Sequence, residues 1–286
     1  MEDKINLIKE KVPHLDIKQY HQNKQGQNND VLIVNNEWVF RFPKYRAGIE
    51  QLKKETAILD YVSSKLSLLV PQPCYQFFLP EEPGKVFTGY RILPGNPLWK
   101  KDMSCLDTNQ IQKAAEVLAV FLKELHSLPL DSELSSIQRS ESTCFKEMRD
   151  LYERLKTKIY PFMKQESIEE VDNRFTDFFH SCETVEPCII HGDFGCSNIL
   201  WDKGTVSGII DFGGAGISDP AYDVAGLLAS YGEQFFRMMI PHYPEIMTFQ
   251  DRVYFYQSTF ALQEALFGIE NDDREAFENG ISGYRK

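Results

Sequence analysis

Short apolar runs alternate with polar breaks through the first third of the chain and again around residues 188 to 210. Between these regions, apolar positions fall at helical spacing. Val31-Leu32-Ile33-Val34 and Trp38-Val39-Phe40-Arg41-Phe42 are rich in strand formers, and Asn35-Asn36 between them predicts a hairpin turn. A polar loop, His21 to Asp30, is expected before this pair. Ile49, Leu52, Ala57, Ile58 and Val62 predict a helix over residues 47 to 66, and two further strands follow around 73 to 78 and 86 to 93. Pro94-Gly95-Asn96-Pro97 then breaks the pattern sharply and is the candidate hinge. Beyond it, Ile111, Ala114, Ala115, Leu118, Phe121, Leu122 and Leu125 form one helical stripe ending near Pro129, with His126 expected as a packed or capping residue. Residues 131 to 182 are charged and contain further helical stretches, one around Phe145 to Tyr160.

Cys188-Ile189-Ile190, Ile199-Leu200-Trp201 and the run Val206 to Ile210 read as buried strands, the last two joined by a Lys203-Gly204 turn. The polar residues between and after them therefore sit at strand ends: His191-Gly192-Asp193-Phe194-Gly195-Cys196-Ser197-Asn198, then Asp211-Phe212-Gly213. Asn198 and Asp211 offer an amide and a carboxylate oxygen, the donors a hard cation such as Mg²⁺ takes. Asp193, five residues before Asn198, is left to accept a proton from an attacking hydroxyl, and the chemistry that fits is phosphoryl transfer. Either tripeptide alone would read as an ordinary Asp/Gly turn. Their order, the five-residue step and the strand-like spacer argue against that bland reading.

With these motifs the chain resembles the aminoglycoside phosphotransferase family of the protein-kinase-like superfamily, whose catalytic loop reads His-x-Asp-x-x-x-x-Asn and whose metal loop reads Ile-Asp-Phe/Trp-Gly. Phe40 to Lys44, Gly89 to Gly95 and Gly208 to Gly213 make it most similar to the aminoglycoside 2''-phosphotransferases. The resemblance implies an α+β, bilobal protein-kinase-like fold, with a mainly β N-lobe over residues 1 to 95 that includes the hinge strand. A mainly α C-lobe over 96 to 286 would hold the catalytic and acceptor sites. It also implies ATP or GTP as donor and Mg²⁺ as cofactor. Gly26 matches the first glycine of the family's phosphate-covering loop, while Asn28 stands at the second. Arg41 replaces the strand lysine that meets the donor phosphates. Lys44, an odd step further along the strand, points to the opposite face and is no substitute. Glu55 falls where the ion-pair glutamate of the following helix is expected. Tyr90 lies where a bulky side chain crowds adenine and favours guanine, and the backbone of Arg91 and Leu93 would contact the base. His191 and Asp223 are implied as structural supports of the catalytic loop. Of the family's acidic acceptor cluster only Glu233 remains, with Glu264, Glu270, Asp272 and Asp273 available to compensate.

A chain of 286 residues accommodates two lobes. Its net charge of −11 argues against a nucleic-acid partner, which requires a basic footprint. The first 95 residues carry a small basic excess and the remainder is strongly acidic, which suits a nucleotide phosphate site beside a site for a cationic acceptor. No membrane partner is expected, since no apolar run reaches the length of a span; with no signal-peptide pattern at Met1-Glu2-Asp3-Lys4, a cytoplasmic monomer is expected. The six cysteines show neither C-x-x-C nor zinc-finger spacing and read as free thiols. The leading expectation is Mg²⁺-dependent transfer of a nucleotide γ-phosphate to a hydroxyl of a small molecule, an aminoglycoside or related cationic amino sugar. The alternatives are a macrolide or metabolite kinase, and a pseudokinase that binds nucleotide without transfer.

Overall fold

The computed structural model of the chain describes residues 1–23, 29–130, 144–181 and 185–285. Gly26 and Asn28 lie outside the described residues. A helix not anticipated from the sequence, α1 (Glu2–Lys11), opens the fold and buries Ile5 and Ile8 against the sheet that follows. Its other positions are mostly polar, so the apolar signal is confined to a few residues. The sheet comprises β1 (Tyr20–Asn23), β2 (Asn29–Val34) and β3 (Trp38–Pro43), followed after α2 (Arg46–Val62) by β4 (Tyr75–Phe77) and β5 (Phe87–Arg91). All neighbours are antiparallel, in the order β1-β2-β3-β5-β4. Asn35 and Asn36 both adopt φ 55°, the left-handed geometry of a tight hairpin. Parts of the expected polar loop are strand instead: His21 to Asn23 pair with β2, and Asn29 and Asp30 pair with β3. As β1 is an edge strand, Tyr20 and His21 can stay exposed and polar without losing the ladder.

The second half of the breaker cluster forms β6 (Asn96–Pro97), and α3 (Lys100–Met103), α4 (Thr108–His126), α5 (Cys144–Lys158), α6 (Gln165–Ser181), β7 (Cys188–Ile190), β8 (Ile199–Asp202), β9 (Thr205–Ile209) and β10 (Gly216–Ser218) follow. The helices α7 (Ala221–Tyr231), α8 (Glu233–Met239), α9 (Gln250–Glu270) and α10 (Arg274–Ile281) complete the chain. This is the α+β, two-lobed arrangement, a sheet lobe joined to a helical lobe. α4 starts at a capping box: Asp107 accepts from the Gln110 backbone N–H at 2.9 Å, and the Gln110 side chain accepts from the Asp107 N–H at 3.1 Å. Its stripe, Ala114 to Leu125, is buried in the main core with Phe194, Phe212 and α7. The breaker cluster is tied down where the lobes meet. Asn96 pairs with Trp201, the Ser207 hydroxyl donates to the Pro94 carbonyl at 2.6 Å, and Ile209 N–H donates to Leu69 O at 2.9 Å. Among the described residues, no helix is long and apolar enough to cross a membrane.

Candidate active site

The loop His191 to Asn198 is suspended from the core by backbone contacts that need small residues. Gly192 adopts φ +76°, and a Cβ added there would lie 2.1 Å from the Gly214 carbonyl oxygen, so the loops carrying Asp193 and Asp211 touch main chain to main chain. Gly192→Ala is therefore expected to cost at least about 2 kcal/mol, combining left-handed strain with the clash, read as a lowered midpoint of chemical denaturation. An unchanged midpoint would contradict this packing.

Asp223, in the first turn of α7, is fully buried and accepts from His191 N–H and Gly192 N–H, both at 2.8 Å. Its third donor is His126 at the end of α4, whose Nε2 lies 3.1 Å from Oδ2. His126 Nδ1 is 3.1 Å from the Tyr243 hydroxyl, and the Asp223 contact places a proton on Nε2. The sequence marked His126 only as packed or capping; its partner lies 97 residues away, and no local signal could have found it. His191 is fully buried, donates from Nε2 to Ile210 O at 3.0 Å and accepts at Nδ1 from Asp193 N–H at 3.2 Å, which fixes one neutral tautomer.

Asn198 Nδ2 donates to the Asp193 backbone oxygen at 2.8 Å and to its carboxylate Oδ2 at 2.9 Å. Both amide protons point at Asp193, which leaves the Asn198 oxygen as an acceptor. Asp211 has φ 63° and a half-exposed side chain, while Phe212 beside it is fully buried. A carboxylate and an amide oxygen in facing loops fit a hard divalent cation that keeps waters and phosphates in its shell. Desolvation by the surrounding protein pushes the Asp193 carboxyl up, and the Asn198 hydrogen bond opposes it. One edge of Asp193 is exposed, which limits the shift.

From the sheet lobe, Arg41 on β3 reaches across to this site. It is 8 % exposed, forms a close ion pair with Glu55 on α2 and places Nη2 3.3 Å from Asp211 Oδ1. Burial disfavours the guanidinium charge, but Glu55, Tyr90 and Asp211 outweigh it. Burial pushes the Glu55 carboxyl up against the pull of Arg41, consistent with its second oxygen being buried without a hydrogen-bond partner. Tyr90 is buried at the end of β5. Arg91 turns outward instead, over the Trp38 ring at 4.4 Å and onto Glu37 at 3.0 Å, so only its backbone is available to the cleft. Leu93 follows β5 and is half-buried beside Gly208.

The expected acceptor residues are not gathered in the same way. Glu233 accepts from Arg237 at 2.7 Å and from the Tyr254 hydroxyl at 3.1 Å, an internal engagement between α8 and α9. Glu264 is exposed on α9 beside Gln263, which accepts from the Tyr222 hydroxyl at 3.4 Å; Tyr222 in turn feels the Asp193 charge. Glu270 is committed to Arg154 and Lys158 on α5. Ser230 accepts from the catalytic-loop Cys196 N–H at 3.1 Å, and the Tyr231 hydroxyl donates to Leu98 O at 2.6 Å. The end of α7, where an acidic cluster is expected, thus anchors loops. A hollow of about 520 Å³ between α6 and α9, lined by Phe178 and Phe255, contains none of these catalytic-loop residues. Its Arg252 and Tyr254 already serve Asp219 and Glu233, so the cleft between the lobes is the better candidate on chemical grounds.

Sheet lobe, helical lobe and the two facing acidic loops define a kinase-like O-phosphotransferase of small molecules. The family described as "Phosphotransferase enzyme family" matches residues 19–245, and the chain belongs to it. It is similar to viomycin phosphotransferase of Streptomyces vinaceus, 26% identical over 268 residues and covering 91% of both chains. Its fold matches that of a 2''-phosphotransferase solved as a GDP and kanamycin complex, with TM-score 0.88 and 27% identity over 97% of this chain and 95% of that one. A macrolide 2'-phosphotransferase from Brachybacterium faecium shares the fold alone, at TM-score 0.74 and 17% identity over 98% and 97% of the two chains. The chain is therefore a phosphotransferase of this family.

Proposed function

We propose that this protein transfers the γ-phosphate of ATP or GTP to a hydroxyl of a small cationic acceptor, an aminoglycoside or related amino sugar, in the presence of Mg²⁺. The observation that carries the reading is the convergence of Asp193, Asn198 and Asp211 from two glycine-packed loops, with Arg41 reaching Asp211 from the opposite lobe. Asp193 accepts the acceptor hydroxyl's proton, and Asn198 holds its carboxylate in place. Asn198 and Asp211 hold Mg²⁺, which when bound neutralises charge on the transferring phosphate. Arg41, oriented by Glu55, steadies the donor phosphates; its fork can hold them bidentately and never loses its charge. Tyr90 and the backbone of Arg91 and Leu93 receive the base, with residues 1 to 95 as the donor lobe and 96 to 286 as the acceptor lobe. Gly26 and Asn28 cover the phosphates. Glu264 receives a cationic group of the acceptor. Glu233 is the second acceptor carboxylate of this reading, although Arg237 and Tyr254 engage it.

A second acceptor class is favoured by one observation: Glu233 is already engaged by Arg237 and Tyr254, which weakens the case for a multiply charged aminoglycoside and leaves a macrolide or other metabolite hydroxyl. The test is ADP or GDP release over a panel of aminoglycosides, macrolides and amino sugars, with each nucleotide and with or without Mg²⁺. Expected is acceptor-dependent release that vanishes on chelation. Release independent of Mg²⁺ would remove the metal assignment, and turnover of macrolides alone would select the second class.

A further inference from the structure

Arg41 distinguishes this site from the lysine-bearing pattern, and its surroundings show what the exchange requires. A lysine ammonium radiates three N–H bonds from one atom, whereas a guanidinium spreads five over a planar fork and must be held in both tilt and rotation. Two carboxylate oxygens hold it here, Glu55 Oε1 and Asp211 Oδ1 at 3.3 Å, and the buried Tyr90 hydroxyl is the third group that feels the guanidinium charge. The sheet register explains this third neighbour. Val39 pairs with Tyr90 and Arg41 with Thr88, so residues 39, 41, 88 and 90 share one face, and Tyr90 and Arg41 are diagonal neighbours there. The position is specified closely. Tyr90 is 9 % exposed, and burial pushes its hydroxyl up to about 12, so it stays a neutral acceptor through the physiological range. Asp211 is half-exposed and Glu55 reaches only one edge of the fork, which leaves Tyr90 as the buried neutral neighbour that limits rotation.

We propose that Tyr90 is a positioning residue for phosphoryl transfer: its hydroxyl holds the Arg41 guanidinium facing Asp211, so the residue shaping the base pocket also sets the phosphate-binding cation. This rests on the reading of Arg41 as a donor-phosphate partner. It separates two properties of one side chain: the ring acts on the base and the hydroxyl acts on the phosphates.

Tyr90→Phe keeps the ring and removes the hydroxyl. The variant should lose about tenfold in kcat/KM with both ATP and GTP, the scale of one hydrogen bond to a charged group, while the ratio between the two nucleotides stays within about twofold. Binding of inorganic triphosphate, which has no base, should weaken by a similar factor. In an Arg41→Lys background the same Tyr90→Phe change should have little further effect, because the fork it orients is gone. Unchanged triphosphate binding, or a changed nucleotide ratio without it, would overturn the proposal, as would full additivity of the two substitutions. If Tyr90→Phe does not fold, Tyr90→Met supplies the same triphosphate comparison. Arg41→Ala distinguishes the underlying reading: if it leaves triphosphate binding intact, Arg41 is not a phosphate partner at all.

Discussion

Replacing Asp193 by Ala is expected to lower kcat about a thousandfold, the scale of a lost general base, while nucleotide affinity changes little. The asymmetry follows from position. In the proposed arrangement Asp193 faces the acceptor, while Arg41, paired with Glu55 and Asp211, serves the donor side. Its Asn198 contacts include the backbone carbonyl, which the substitution leaves in place. Turnover is read as ADP or GDP release and affinity by direct nucleotide titration; unchanged turnover would sink the base assignment. The pH dependence has a definite sign. The base works ionised, and desolvation raises its pKa, so the acid limb of kcat should lie above the ordinary aspartate value. A limb at or below that value would show that the Asn198 hydrogen bond outweighs burial.

Asp223→Ala should be the most damaging substitution for stability. It leaves His191 N–H and Gly192 N–H without acceptors in a fully buried site, and His126 loses the partner that orients its ring. Two stranded donors at about 1–3 kcal/mol each give an expected loss of about 2–6 kcal/mol. Activity should fall with it, because Gly192 precedes Asp193 and its backbone sets where the carboxylate points. Asp223→Asn keeps one carbonyl acceptor and should fall between wild type and Ala. Denaturant midpoints check the energies, and turnover well below the melting transition separates displacement from unfolding. A wild-type midpoint for Asp223→Ala would mean that water replaces the carboxylate.

The parts of the fold legible in the sequence are those that a few neighbouring residues decide. Asn35-Asn36 tolerate the left-handed angles of a hairpin, and the structure gives both φ 55°. The apolar stripe of α4 reads directly because helical spacing puts Ala114, Leu118, Phe121 and Leu125 on one face. The order of the catalytic loops was visible because chemistry at strand ends leaves polar residues bounded by apolar runs. By contrast, α1 was missed because two buried isoleucines in a charged helix give little periodic signal. β1 was missed because an edge strand need not be apolar.

Sequence alone determined that the chain belongs to a kinase-like phosphotransferase family and which loop residues are proposed to carry the chemistry, since loop order and residue type are one-dimensional properties. Tertiary structure decided what each one touches. Arg41 reads locally as a strand arginine, yet its partners come from residues 55, 90 and 211. His126 reads as a helix end, yet it supports Asp223. Glu233 reads as a surviving acceptor carboxylate, yet it is paired with Arg237 and Tyr254. Apart from the Glu233–Arg237 pair within α8, these contacts join residues from separate helices, strands and turns, and most are far apart along the chain. Periodicity and turn chemistry specify the elements, whereas the packing of those elements selects which polar atoms meet.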